Sequence, residues 1–128
     1  MSYVFSKTVG LAFDATVART REALAAEGFG VITEIDVRQT LKTKIGVDFR
    51  PYVILGACNP ALAHEALKLE ANVGAMLPCN VVVQDAGDGR TEVSAVDPVA
   101  SMQAIDNPGL KEKAGIVAER LRAAIGRL

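Results

Sequence analysis

The sequence predicts an α+β fold, with a mixed β-sheet of about five strands and helices packed mainly on one face. Segments with the two-residue alternation of a strand and segments with the three-to-four-residue spacing of a helix follow each other along the chain. Two strand-like segments, 81–83 and 92–96, enclose a glycine-rich turn, which indicates a hairpin and argues against a purely parallel sheet. The 128 residues, 50% of them hydrophobic, fit a single domain over 1–128 that needs no disulfide.

The first half of the chain alternates between strands and helices. Asp14 and Asp36 stand where a side-chain oxygen can cap the start of a helix, and Gly28 stands where glycine typically ends one. We therefore predict, in order, a strand over 3–9, a helix over 14–27, a strand over 29–37 and a short helix that ends at Gly46.

The second half begins with a segment, 52–57, that is apolar at nearly every position, as expected of a strand covered on both faces. Two Asn-Pro pairs, at 59–60 and 107–108, predict helix starts, because asparagine caps a helix and proline in the first turn has no amide proton to leave unpaired. The hairpin lies between these two helices. The final helix carries apolar residues at spacings of three or four.

Charge and composition exclude several classes of partner. Lys and Arg total 14 and Asp and Glu total 15, so the net charge of −1 argues against a nucleic-acid partner, which requires a basic surface. No segment approaches the ~20 apolar residues of a membrane span, and the N-terminus lacks the pattern of a secretory signal. Two cysteines are too few for a disulfide framework, so we expect reduced thiols and a cytoplasmic location.

The apolar strands also bear on assembly. If the helices cover only one face of the sheet, the other face leaves an apolar surface open. A symmetric homodimer through sheet or strand contacts is the simplest way to cover that surface. We therefore expect a second copy of the chain as a partner, with a small molecule as a further candidate.

Cys58, in the run Gly56-Ala-Cys-Asn-Pro60, is the strongest candidate for a reactive group. It ends a predicted strand and directly precedes the cap of a predicted helix, where backbone amides and the helix dipole stabilise a thiolate. The alternative is that this cysteine is a small buried apolar residue. Cys79, in the run Leu77-Pro-Cys-Asn80, opens a later strand and has the same two interpretations.

The distance between the two thiols depends on the direction of that later strand. In a right-handed β-α-β crossover, Cys58 and Cys79 lie at opposite edges of the sheet, too far apart for a bond. If residues 72–78 run back along the helix, the strands are antiparallel and both thiols lie at one edge. The sequence does not choose between these paths. The separation of 21 positions (79 minus 58) matches no zinc-ribbon or Cys-X-X-Cys motif, so we predict no metal and no cofactor.

Four further residues are candidate ligand-binding positions. Asn59 and Pro60 adjoin Cys58 at the helix start, and His64, the single histidine, lies further along the same helix. Glu34 lies on a predicted strand, where a carboxylate can carry acid–base chemistry. His64 and Glu34 fit solvent-exposed positions better, and a metal site built from the two thiols and the histidine is the least favoured alternative.

The two cysteine runs, with the upstream segment Glu34-Ile-Asp-Val37, resemble the bacterial and archaeal family of domains of unknown function numbered 302. The resemblance covers almost the entire chain, from the first strand to the last helix. It implies a small α+β fold that associates as a dimer. It implies no established activity, cofactor or catalytic residue.

Two hypotheses for the function follow. The first is thiol-based redox chemistry or the handling of sulfur and persulfides at Cys58, with Cys79 as its partner. The alternative is a non-catalytic homodimeric module that binds a small ligand, with both cysteines serving as packing. The sequence leaves open whether the protein is an enzyme.

Overall fold

Five strands form one sheet in the computed structural model, which describes residues 2–128. The strands are β1 (Val4–Val9), β2 (Gly30–Asp36), β3 (Tyr52–Cys58), β4 (Cys79–Gly87) and β5 (Arg90–Val96). The helices are α1 (Phe13–Ala26), α2 (Val37–Ile45), α3 (Pro60–Leu69), α4 (Pro98–Ser101) and α5 (Pro108–Gly126), and a 3-10 helix spans Ala71–Met76. The strand order across the sheet is β1-β5-β4-β3-β2.

The α+β class, the five strands and the packing of helices on the sheet are confirmed, but the prediction of a mixed sheet is wrong. Every neighbouring pair is antiparallel. A parallel neighbour would require the chain to cross from one end of the sheet to the other between strands. Between β3 and β4 the chain instead runs out along α3, turns through the 3-10 helix, and returns to the end of the sheet that it left.

Three of the predicted helix caps are confirmed. Asp36, Asn59 and Asn107 each accept a hydrogen bond from the backbone N–H three residues later, at 2.9, 3.1 and 3.1 Å. The predicted cap at Asp14 is wrong, because α1 begins one residue earlier than expected and Asp14 lies within its first turn. The caps of α2 and α3 fix where β2 and β3 end, since each cap directly adjoins its strand.

The predicted hairpin joins β4 and β5. Asp88 and Gly89 at its tip both have positive φ, of 56° and 73°. Two successive positive φ angles form the tight turn whose twist matches that of the flanking strands. The register of the two strands shifts between Asp85 and Gly87, just before this turn.

Helices α1 and α5 cover one face of the sheet, and a second cluster adjoins this core. Leu24 of α1 and Leu121 of α5 are 1% and 0% exposed against the sheet. The buried strand residues beneath them include Leu55, Ala57, Val81, Val83, Val93 and Ala95. The second cluster contains Ala66, Val73, Met102, Leu110 and Ala114, and joins α3, the 3-10 helix, the residue after α4 and the start of α5.

Gly56 of β3 allows a close approach between the sheet and its surroundings. A Cβ atom placed on Gly56 would lie 2.7 Å from Cγ of Pro78 and would overlap Oγ1 of Thr33 on β2. Pro78, which follows a cis Leu77–Pro78 bond, is the residue directly before β4. The missing side chain at Gly56 therefore lets the start of β4 lie against β3.

We predict that Gly56→Ala lowers the free energy of unfolding by about 3 kcal/mol, because the ring of Pro78 and the branched side chain of Thr33 have little freedom to move away. Gly115→Ala is the matched control, since Gly115 lies within α5 with no atom within 4 Å of an added Cβ. That control should be neutral or stabilising by up to about 1 kcal/mol. Denaturant unfolding measures both, and equal stabilities of the two variants would contradict the close approach.

Candidate functional site

Cys58 and Cys79 line one small cavity, of about 40 Å³, at the end of the sheet where β3 stops and β4 starts. The strand register explains this arrangement. Ala57 pairs with Cys79, so the residue after Ala57 and the first residue of β4 are neighbours. Of the two paths that the sequence left open, the chain takes the antiparallel one, and both free thiols lie at one edge of the sheet.

Cys58 occupies the junction between β3 and α3. It is the last residue of the strand, and Asn59 next to it caps the ten-residue helix by accepting the hydrogen bond from Leu62 N–H. The first N–H groups of a helix and its dipole place partial positive charge at this end, which favours an anion over a neutral group. The Cys58 side chain is only partly buried. Cys58 therefore stands at a helix start and is open to a small reagent.

Cys79 has the opposite environment. Its side chain is 5% exposed. Burial, and then the nearby charge of Cys58, raises the pKa of the Cys79 thiol to about 11, because a second anion in an apolar surrounding is poorly solvated and repelled. Cys79 is therefore a neutral thiol at physiological pH.

The walls of the cavity are mostly hydrocarbon. Among the described residues, Asn59 and Lys113 are the polar side chains that line it besides the two thiols. The apolar walls include Phe29, Leu62, Leu77, Pro78, Met102 and Leu110. These residues come from α3, α5, the residue before β2 and the segments beside the 3-10 helix and α4, so the cavity lies at the junction of the two core clusters.

Lys113 is the residue of this site that sequence reasoning missed. It lies on α5 three residues after Leu110 and four before Val117, both of which also line the cavity. Residues at these spacings share one face of a helix. The sequence thus shows a lysine within an apolar stripe. Only the packing of α5 at the cavity shows that this lysine belongs to the same site as Cys58.

The other candidate ligand-binding residues lie in different places. Asn59 lines the cavity, but its side-chain oxygen is already used to cap α3. Pro60 and His64 are exposed on α3 and do not line the cavity. Glu34 forms an exposed ion pair with Arg21 of α1 at 2.8 Å. The structure therefore brings together Cys58, Asn59 and Cys79, and leaves the other three candidates apart.

No metal cluster adjoins the thiols. Within residues 2–128, no group of three or more His, Cys, Asp or Glu side chains is arranged to hold a metal ion. The two thiols lack a third protein ligand because His64 faces solvent. None of the helices in the same part of the chain combines the length and the apolar character needed to cross a bilayer.

We predict that the buried thiol makes the protein less stable at alkaline pH. Up to the usual thiol pKa of 9.0 the proton stays on Cys79 in both states, and above it the unfolded chain loses the proton while the folded chain keeps it to about pH 11. The free energy of unfolding should therefore fall across this interval, by about 3 kcal/mol at most. Denaturant unfolding at several pH values measures the fall, and Cys79→Ala should lack this part of it. Identical pH profiles of the two proteins would show that burial does not perturb the thiol.

Comparison with known proteins identifies the family. The model of the family described as "Domain of unknown function DUF302" matches residues 5–128. A crystal structure of an uncharacterized conserved protein DUF302 from Bacillus stearothermophilus is similar at 34% sequence identity and a TM-score of 0.91, over 99% of this chain and 98% of that chain. No curated protein is significantly similar to the chain. The predicted family is thereby confirmed, and the chain belongs to the DUF302 family.

Proposed function

We propose that Cys58 and Cys79 form a dithiol site that accepts sulfane sulfur from a small persulfide and releases it as hydrogen sulfide. The observation that carries this proposal is the shared cavity, which two free cysteines in unlike environments both line at one end of the sheet. Two identical thiols would compete for the same role. Unlike environments instead suit one thiol to attack the substrate and the other to resolve the product of that attack.

Cys58 is the attacking thiol in this proposal. Attack on a sulfur atom requires the thiolate, and Cys58 directly precedes the cap of α3, the end of the helix at which the free N–H groups lie. The partial exposure of Cys58 gives a small substrate access to the sulfur atom.

Cys79 is the resolving thiol. The charge of the Cys58 thiolate is one of the two causes that raise the pKa of Cys79. Burial, the larger cause, persists after Cys58 has reacted, so Cys79 keeps its proton until it attacks the persulfide, whose outer sulfur accepts that proton. The order of reaction follows from access, because Cys58 is partly exposed and Cys79 is buried.

The proposed reaction has three steps. The Cys58 thiolate attacks the outer sulfur of a persulfide, R–S–SH; the S–S electron pair leaves with R–S⁻, and Cys58 holds the transferred sulfur as Cys58–S–SH. The Cys79 thiol then attacks the inner sulfur of that group, forming a Cys58–Cys79 disulfide and releasing H₂S. A low-molecular-weight thiol, oxidised to its own disulfide, reduces the protein disulfide and restores both thiols. This need for a thiol reductant places the protein in the cytoplasm in our proposal.

The cavity favours sulfur over oxygen substrates. A hydroperoxide brings several hydrogen-bonding groups, and these are costly to bury where hydrocarbon walls offer few partners. Sulfur atoms are soft and make weaker hydrogen bonds, so they suit such a surrounding. A volume of about 40 Å³ also holds only a few water-sized groups, whereas binding sites for larger organic ligands are several times bigger. The size therefore favours the thiol hypothesis over a binding module.

The proposal also includes a homodimer. On the face of the sheet opposite α1 and α5, one row across the strands contains Ile35, Ile54 and Val82 and continues into Ser94 and Ser6. Ile35 is 49% exposed. Pairing with the same row of a second copy would remove this apolar surface from water and place the serines of one copy against those of the other.

We predict that a glutathione persulfide converts the wild-type protein to the Cys58–Cys79 disulfide, with release of H₂S. Cys79→Ser should stop at the persulfide and gain the mass of one sulfur atom, because it lacks the resolving thiol. Cys58→Ser should react about tenfold more slowly or not at all, since its remaining thiol is buried and neutral. Intact-protein mass spectrometry and a sulfide assay measure these products. Equal reactivity of the two single variants would overturn the assigned order.

We predict that Val82→Lys dissociates the dimer by placing a charge in the centre of the proposed interface. Ile116→Lys is the matched control, because Ile116 is an exposed apolar residue of α5, 37% accessible, on the other side of the sheet. Analytical ultracentrifugation should give a dimer for the wild type and the control and a monomer for Val82→Lys. A monomeric wild-type protein would refute this part of the proposal.

A further inference from the structure

We infer that Lys113 makes the thiol cavity selective for substrates that carry a negative charge next to the reacting sulfur. This inference rests on the proposed function and names the class of carrier that delivers the sulfur. Its starting point is that Lys113 lines the otherwise apolar cavity that Cys58 and Cys79 also line.

Lys113 is partly buried and has no close counter-ion. Within residues 2–128, no carboxylate lies within 4.0 Å of its ammonium group, although four other ion pairs form in the same part of the chain. Lys113 acts electrostatically on Glu65, whose carboxylate is already engaged by Lys68 at 3.1 Å. A hydrogen bond from Lys68, and then its charge, lowers the pKa of Glu65, and Lys113 adds a smaller contribution. The charge of Lys113 is therefore available to a ligand.

A second cation lies on the same helix near Cys58. A Cβ atom placed on Gly28 would lie 3.1 Å from Nδ2 of Asn59 and 3.5 Å from Nη1 of Arg120, so the side chains of Asn59 and Arg120 approach each other there. Arg120 also forms no ion pair among the described residues. Lys113 and Arg120 are separated by about two turns of α5, with Val117 of the cavity wall between them.

Lys113 is the cation on the cavity wall, whereas Arg120 is exposed and does not line the cavity. A partly buried cation such as Lys113 attracts anions more strongly than a fully solvated one, because less water screens it. The cavity itself holds only a few atoms, so a larger substrate places its reacting sulfur inside and the rest at Lys113. A carboxylate or sulfonate at that position gains an ion pair, whereas a cationic carrier is repelled. Lys113 also stabilises the anion that leaves when the S–S bond breaks.

Two thiosulfonate reagents of similar size and opposite charge test this inference. The sulfonatoethyl (negative) and trimethylammonioethyl (positive) methanethiosulfonates both transfer their substituted ethylthio group to a thiolate, form a mixed disulfide and release methanesulfinate. The readout is the rate of the negative reagent divided by the rate of the positive reagent at Cys58 in the folded Cys79→Ser protein. This quotient is then divided by the same quotient measured in the unfolded chain. The wild-type lysine should give a ratio well above one. Lys113→Met should lower it about fivefold, and Lys113→Arg should retain it.

Lys111→Met is the matched control, because Lys111 lies on the same helix, is exposed and does not line the thiol cavity. Its ratio should equal that of the wild type. As a measurement that needs no further substitution, raising the salt concentration to about 1 M should reduce the ratio by screening the cations. If neither Lys113→Met nor the added salt changes the ratio, the inference is overturned, but the proposed dithiol site is not affected. If neither reagent modifies Cys58 in the folded protein, the proposed function fails and the inference fails with it.

Discussion

The candidate site depends on one constraint, the antiparallel pairing of β3 with β4. Because the chain leaves β3 and re-enters β4 at the same end of the sheet, the residues at this junction come together although 20 others separate the two cysteines (79 minus 58 minus 1). Gly56 and Pro78 secure this pairing, since the absent side chain of one makes room for the ring of the other. Without it Cys58 would remain a half-exposed cysteine at a helix start, with no partner.

The same return of the chain makes the two thiols unlike. β3 ends at a helix cap that faces the edge of the fold, whereas β4 begins beneath α3, α5 and the segment after α4. One thiol thus gains the dipole of α3, and the other loses contact with water. The difference arises from backbone topology and packing.

Local sequence signals predicted most elements, and the failures share a cause. The Asn-Pro pairs, Asp36 and the hairpin glycines specify geometry within a few residues, so α2, α3, α5 and the β4–β5 turn were predictable. Strand direction is not local. It depends on the 3-10 helix Ala71–Met76, whose residues carry no clear helix or strand period. Local patterns identified Cys58 and Cys79 as candidates, but they could not predict that both line one cavity, because that depends on strand direction. They did not identify Lys113, because its role depends on how α5 packs.

The meeting of two core clusters at the cavity has a consequence for the motions of the protein. Ala57 and Cys79 belong to the cluster on the sheet, whereas Met102, Leu110 and Ala114 belong to the smaller one. A neighbouring cleft of about 250 Å³ is also lined by Met102 and Ala114, so the thin boundary between cleft and thiols includes a flexible methionine side chain. An opening confined to the smaller cluster would leave the five strands paired. Access of solvent to the inner sulfur would then depend on the local packing of a few side chains more than on the stability of the whole fold.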